Sequence, residues 1–203
     1  MGFYQRQLQP RLLNATLNVK TTGEIRERVR AGLAGDVLEI GYGSGLNQSF
    51  LPAAVSRVSV VDPSAVALEL SRERQAESPV PVVVVGDDAA QLDVPDDQYD
   101  AALSTWTLCA VADPVAVLRE IRRVLKPGRE LHFVEHGLAP DAKVLRWQRR
   151  GNGLNKRISG CVLDRDIRGL IESSGLSLSA LRTYYEPASP KPAGYFYEGR
   201  AAA

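Results

Sequence analysis

The sequence predicts a three-layer α/β sandwich on a seven-stranded, mostly parallel sheet with an antiparallel C-terminal strand, and three observations carry the prediction. Five short, mainly apolar runs alternate with segments of helical spacing. Runs apolar on consecutive rather than alternate positions mark strands buried on both faces, as parallel strands under helices are. After the fifth run, two further strand candidates are joined by a loop instead of a helix, which predicts an antiparallel pair.

Taken in order, Glu24 to Ala34 places Ile25, Val29 and Leu33 on one helical stripe that Gly35 stops. Val37, Leu38 and Ile40 form the first strand, which breaks at Gly41 into GYGSGLN, with a second helix expected from Leu46. Val58 to Val61 is the second strand and ends in Asp62-Pro63-Ser64. Ala65 to Gln75 is helical by composition. Val80 to Val85 reads as a third buried strand, closed by Gly86-Asp87-Asp88, and Tyr99 to Leu103 as the fourth. Asp113 and Pro114 then open the clearest helix, in which Val117, Leu118, Ile121, Val124 and Leu125 keep helical spacing up to Lys126-Pro127-Gly128. Leu131 to Val134 is the fifth strand. A charged, poorly periodic segment from Lys143 to Arg157 precedes a helix from Asp166 to Ser174, ended by Gly175. The last strands are Leu176 to Ala180, alternating with serines, and Tyr195-Phe196-Tyr197 beyond PASPKP.

At 203 residues the chain fits one domain, divided into an N-terminal lid segment (1–23), a ligand-binding core (24–136) and a substrate-side insertion with the C-terminal strands (137–203). The 25 basic and 24 acidic residues leave a net charge of +1, which excludes the bulk positive field of a general nucleic-acid binder. The charge is unevenly spread. Lys143 to Arg168 holds eight basic and two acidic residues, while Gly86 to Asp100 holds six aspartates and no base. The basic stretch is either a solvated helix face or a surface for an anionic acceptor or peripheral lipid contact. No apolar run approaches the ~18 residues of a membrane span, so no integral membrane segment is expected. Cys109 and Cys161 are in no CxxC and have no metal-ligand partner at close spacing, so the sequence predicts buried thiols, no metal and a reducing, cytoplasmic setting.

Ligands of a doubly wound sheet bind outside the carboxyl ends of its strands, and the chemically informative residues fall there. Gly41, Gly43 and Gly45 let the backbone approach a ligand closely. Asp62, seventeen residues after Gly45, ends the second strand where a carboxylate can accept both ribose hydroxyls; it also fits a helix cap. A nicotinamide dinucleotide needs GxGxxG, but the third glycine is replaced by Leu46, and Glu39 is a poor neighbour for a pyrophosphate. A cofactor with a positive centre and an amino group suits that acidic rim, and S-adenosyl-L-methionine has both.

With VLEIGYGSG, VVDPS, GDDAAQL, YDAALSTWTLC and RRVLKPGRELHFVEH in this order, the chain resembles the class I S-adenosylmethionine-dependent methyltransferases, which are Rossmann-like. Within them it is similar to the type 11 family and, through TLCAV, FVEH, LRWQ and GCVLDRD, to the branch of methyltransferase-like thiol methyltransferases. The resemblance implies that Glu39, Gly41, Tyr42, Gly43 and Gly45 cradle the methionine part, that Asp62, Pro63 and Ser64 form the ribose wall, and that Asp87, Asp88 and Ala89 hold the adenine edge. Ser104 and Thr105 would lie beneath the sulfonium. Tyr4, Trp106 and Trp147 are the substrate-side candidates, with packing as the other reading of Tyr4 and Trp106. Glu135 and His136, at the end of the fifth strand, are the candidate bases, although a histidine there also fits simple hydrogen bonding. The expected reaction is methyl transfer to a small molecule, a thiol or hydrophobic compound. An NAD(P)-linked oxidoreductase and a non-catalytic binding module are the alternatives. The sequence leaves the oligomeric state open.

Overall fold

Seven strands, β1 (Gly35–Ile40), β2 (Val55–Val61), β3 (Val82–Gly86), β4 (Tyr99–Thr105), β5 (Leu125–His136), β6 (Ser177–Tyr185) and β7 (Tyr195–Ala202), form one sheet in the computed structural model, which describes residues 3–203. Residues 1 and 2 of the expected N-terminal segment lie outside the described residues. The sheet order is β3-β2-β1-β4-β5-β7-β6. The first five strands pair in parallel, while β7 runs antiparallel to both β5 and β6. From β1 the chain winds outward to β2 and β3, then returns to lay β4 on the other side of β1. The strand ends at this reversal open a crevice.

Six α-helices complete the layers: α1 (Gln9–Leu17), α2 (Lys20–Arg30), α3 (Ala65–Glu77), α4 (Pro114–Val124), α5 (Ala142–Ile158) and α6 (Ile167–Ser174). Because side chains alternate along a strand, β1 divides its residues between two cores. Leu38 and Ile40 join Leu118 and Ile121 of α4 and Ile171 of α6. Val37 joins Ile25 and Val29 of α2 on the opposite face. Glu39 has the parity of Val37, so the strand aims a carboxylate at α2. Side-chain caps start the helices: Ser64 accepts from the Ala67 amide, Asp113 from Ala116, Asp141 from Lys143 and Val144, and Asp166 from Gly169.

Five elements depart from the sequence expectation, the first being β5, which starts at Leu125 rather than Leu131 and takes Lys126-Pro127-Gly128 into the strand. Helix α2 begins and ends four residues early, because Gly32 breaks it at φ +90° and Leu33 is buried by the connection to β1 rather than by the helix. No α-helix follows the glycine loop. Asn47 and Gln48 turn their side chains inward, and only a 3₁₀ turn, Gln48–Phe50, forms before Pro52. Strand β3 is an edge rather than a buried strand, with Val83 and Val84 exposed on its two faces. Finally, the aperiodic stretch after β5 is the 17-residue helix α5. Its periodicity is masked because its fully buried position is Gln148, while Trp147 and Leu154 are exposed.

Candidate active site

All three glycines of the turn after β1 adopt positive φ. Gly41 has φ +65°, and a Cβ there would collide with the side chain of Thr107 from the loop after β4. Gly43 has φ +59° with nothing closer than 3.9 Å to where a Cβ would stand, leaving a backbone cradle a ligand can approach. Asp62 at the end of β2 is buried and braces this turn. Its Oδ2 accepts the Gly43 amide at 2.7 Å and its Oδ1 the Ser64 amide at 2.8 Å. Burial pushes its carboxyl up, and the two amides oppose that shift.

Beneath the cradle lies a buried polar cluster contributed by α2, β1, the glycine turn and β4. Asn47 Nδ2 donates to Glu39 Oε1 at 2.6 Å and to Thr105 Oγ1 at 3.1 Å. Arg26 donates to Asn47 Oδ1 at 2.9 Å and to Thr105 Oγ1 at 3.1 Å, and Arg30 donates to the Asn47 carbonyl. Burial raises Glu39 to about 7 against the pull of Asn47 and the two arginines, and it lowers Arg26 to about 10 and Arg30 to about 9. Glu39 Oε2 is buried with no hydrogen-bond partner. An acceptor orphaned beside an open backbone cradle fits the ammonium group of an amino-acid cofactor. Glu39, Gly41, Gly43 and Asp62 would hold S-adenosyl-L-methionine there, whose sulfonium supplies an electrophilic methyl group.

The other expected residues are distributed differently. Tyr42 turns its ring into the core. Pro63 is exposed, and Ser64 caps α3. Asp87 and Asp88 are exposed beyond β3, with Asp88 Oδ1 accepting the Ala90 amide at 2.9 Å and Ala89 half-buried beside them. Ser104 does not face the cradle. It is fully buried and donates to Glu135 Oε1 at 2.7 Å. Tyr4 donates to the Ile158 carbonyl at 2.9 Å, tying the N-terminal segment to the end of α5, and Trp147 stands exposed on α5.

Glu135 takes a role other than the expected base. Oε1 accepts from Ser104 Oγ and from the Thr107 and Leu108 amides at 3.0 and 2.9 Å, and Oε2 from the Cys109 amide at 3.0 Å. Fully buried and satisfied from four sides, it clamps the loop after β4 over the end of β5. That clamp holds Trp106 at φ +53°, a conformation rare for a bulky side chain. The Trp106 ring is mostly buried against Phe196, with ring centres 5.7 Å apart, and Arg26 lies 4.8 Å over it. His136 is half-buried, its ring 5.1 Å from that of Phe196 and its Nδ1 3.4 Å from Cys109 Sγ.

Sequence spacing predicts no metal ligands, yet the fold gathers Cys109, His136 and Cys161 so that one ligand atom from each lies within 4.8 Å of the others. They come from the loop after β4, from the end of β5 and from the segment after α5, which is why their spacing in sequence is uninformative. Burial holds the Cys109 thiol protonated, whereas the hydrogen bond from Cys109, aided by His136 and opposed by burial, favours thiolate at Cys161. Arg26, Arg30, Asn47 and Phe196 are also new to the site. The arginines left one signal, a four-residue spacing beside the apolar stripe of α2.

Residues 38–133 match the type 11 family described as "Methyltransferase domain". Over 172 residues the chain is 33% identical to a thiol S-methyltransferase of Rattus norvegicus, covering 81% of this chain and 69% of that protein. The chain belongs to the type 11 S-adenosylmethionine-dependent methyltransferases, on their thiol S-methyltransferase branch. The methyltransferase shares its fold with solved structures at lower identity. One is the methyltransferase bound to the Haloferax volcanii Trm112 activator, with a TM-score of 0.72 at 16% identity over 98% of this chain and 96% of that one. Another is an S-adenosylmethionine-dependent methyltransferase of Thermotoga maritima, with a TM-score of 0.69 at 19% identity over 97% and 98%. The cofactor is S-adenosyl-L-methionine and the reaction is methyl transfer. No helix among the described residues is long and apolar enough to cross a membrane.

Proposed function

We propose that the methyltransferase transfers the methyl group to the sulfur of a small, largely apolar thiol. The observation that carries this reading is the state of Glu135, which is fully buried and accepts four internal donors, three on Oε1 and one on Oε2. An amine, phenol or carbon acid needs a base to release its proton, whereas a thiol of pKa about 8.5 ionises with little help. Trp106, His136 and Phe196 supply an aromatic wall at the ends of β4, β5 and β7. The thiol S-methyltransferase of Rattus norvegicus supports the same acceptor class.

In this reading Glu39 receives the ammonium of the cofactor, Asp62 its ribose hydroxyls, and Asp87, Asp88 and Ala89 its adenine edge. Thr105 anchors the Asn47 cluster below. Glu135 is a positioning residue that fixes the loop bearing Trp106, and His136 lines the acceptor side. The main contribution of the chain is alignment of donor and acceptor, which is worth roughly 7–11 kcal/mol when well oriented. The N-terminal segment closes over the cofactor, and α5, with Trp147, Leu154 and Ile158 exposed among lysines and arginines, offers a surface for peripheral lipid contact. The two free cysteines suit a reducing, cytoplasmic setting, and the net charge of +1 favours a small-molecule acceptor over nucleic acid.

The test is incubation with labelled S-adenosylmethionine and matched thiol, phenol and amine compounds, with products read by mass spectrometry. Methyl thioether from the thiols, with the phenols and amines unchanged, is the expected result. Methylated phenol or amine with untouched thiol would overturn the assignment.

A further inference from the structure

Cys109, His136 and Cys161 are held as a set before any ligand arrives. The Val162 amide donates to the Cys109 carbonyl at 2.9 Å, and the Cys109 amide is fixed by Glu135. Asn155 Nδ2 donates to the Cys161 carbonyl at 2.8 Å, and the Cys161 amide reaches Ser159 Oγ at 3.3 Å. The His136 ring rests edge-on against Phe196, and the following Gly137 amide donates to the Tyr195 carbonyl. In a tetrahedral site with bonds of about 2.3 Å to sulfur and 2.0–2.1 Å to nitrogen, neighbouring ligand atoms stand about 3.5–3.8 Å apart. The Cys109 Sγ to His136 Nδ1 distance is 3.4 Å, and all three atoms lie within 4.8 Å, so small side-chain adjustments complete the set. Two sulfurs and one imidazole match the preference of Zn²⁺, and three protein ligands leave one tetrahedral position open.

The location gives that open position a use. Thr107, two residues before Cys109, packs against Gly41, so the loop carrying Cys109 abuts the turn that cradles the cofactor. We propose that Cys109, His136 and Cys161 form a Zn²⁺ site whose open fourth position takes the acceptor thiol as its thiolate. This rests on the thiol reading above and supplies the activation that Glu135 does not. Zn²⁺ binding first displaces the Cys109 thiol proton to solvent, and the acceptor then loses its S–H proton to solvent on binding the metal. A lone pair of the bound sulfur forms the new S–CH₃ bond while the methyl–sulfonium bond breaks and its electron pair stays on the donor sulfur. The products are S-adenosylhomocysteine and a neutral methyl thioether, a poorer ligand than the thiolate it replaces.

The test uses the full chain purified in a non-thiol reductant without chelator, with elemental analysis for zinc and titration of the metal-free protein with Co²⁺. One equivalent of metal is expected, with thiolate-to-cobalt charge-transfer bands and the strong visible bands of tetrahedral cobalt. Cys161→Ser and His136→Gln should each weaken Co²⁺ binding more than 100-fold, and Cys109→Ser is a third variant if it folds. Calorimetric binding of S-adenosylhomocysteine to every variant reports both folding and the cofactor site. Addition of a thiol, but not the matching phenol or amine, should shift the cobalt bands. Absent or substoichiometric metal, unchanged Co²⁺ spectra in the variants, or a Cys109–Cys161 disulfide persisting in the reductant would overturn the site. Tight metal binding with no spectral response to any thiol would overturn the open-position role. Methyl thioether formation by protein that holds no metal would leave the thiol reading intact and defeat this one alone.

Discussion

At the scale of single residues, Glu39 links burial to cofactor binding. Its folded pKa, raised to about 7, exceeds the ordinary carboxylate value because burial penalises the charged form. A raised acid favours the folded state while it stays protonated, so the free protein should lose stability as pH rises from the unfolded value toward about 7 and then level off. The bound ammonium favours the charged form, which gives binding the opposite dependence. Affinity for S-adenosylhomocysteine should therefore increase as pH rises through about 7, with proton release visible in the buffer dependence of the calorimetric enthalpy. Glu39→Gln should flatten that dependence and weaken binding by about 1.5–3 kcal/mol, the scale of a lost charged hydrogen bond. A pH profile unchanged by the substitution would remove Glu39 from this role. Asp62→Ala is expected to cost a similar ~1.5–3 kcal/mol of affinity, and an unaltered calorimetric titration would exclude Asp62 from the ribose. The placement of Asp62 against the glycine turn was legible in the sequence because it follows a strand in local order. The cluster around Glu39 was not, since Asn47 reaches it only because the turn folds back without a helix, and Arg26 joins only when α2 crosses β1.

Elements show the same division between local and tertiary information. Helix α4 was readable from its Asp113 cap, Pro114 and apolar stripe, all of them local signals, whereas α5 was hidden by the polar residue at its buried position. Gln148 accepts the Ala139 amide at 3.1 Å and donates to the carbonyls of Gly137 and Leu163 at 3.0 Å and of Pro192 at 3.2 Å. It thereby pins α5 to the chain just after His136 and just after Cys161. Gln148→Leu would keep the volume but orphan three buried backbone groups and the half-buried Pro192 carbonyl. A stability loss of about 3 kcal/mol is expected, from roughly 1–3 kcal/mol for each unsatisfied group less what water recovers. For a chain of this size that lowers the melting temperature by about 6–12 °C. A calorimetric melt within two degrees of the wild type would show that α5 is held by its apolar contacts instead. The expected burial of β3 failed for a related reason: composition reports that a strand is apolar, and only topology decides whether it lies at the sheet edge.

For the molecule as a whole, the sequence resolved the five parallel strands and the glycine turn because each is a contiguous pattern. It could not resolve the meeting of residues 109, 136 and 161, which needs β4, β5 and α5 to return to one rim of the sheet. The N-terminal segment reaches its neighbours in the same non-local way. Helix α1 packs against α3, the helix that follows Asp62 and Ser64. On its other side, Tyr4 and Gln9 both donate to the Ile158 carbonyl, at 2.9 and 3.0 Å, three residues before Cys161. A ligand that orders the cofactor cradle should therefore order residues 4–17 and 155–162 together, because neither can move freely while the shared carbonyl holds them. Hydrogen exchange followed by mass spectrometry with and without S-adenosylhomocysteine tests this coupling. Both segments should gain protection of roughly ten-fold, equivalent to about 1.4 kcal/mol. In a Tyr4→Phe, Gln9→Ala double variant, protection of 155–162 should fall back toward the free protein while residues 39–64 stay protected. If the ligand slows exchange only around the glycine turn and leaves 4–17 unchanged, the N-terminal segment is packing and does not close over the cofactor.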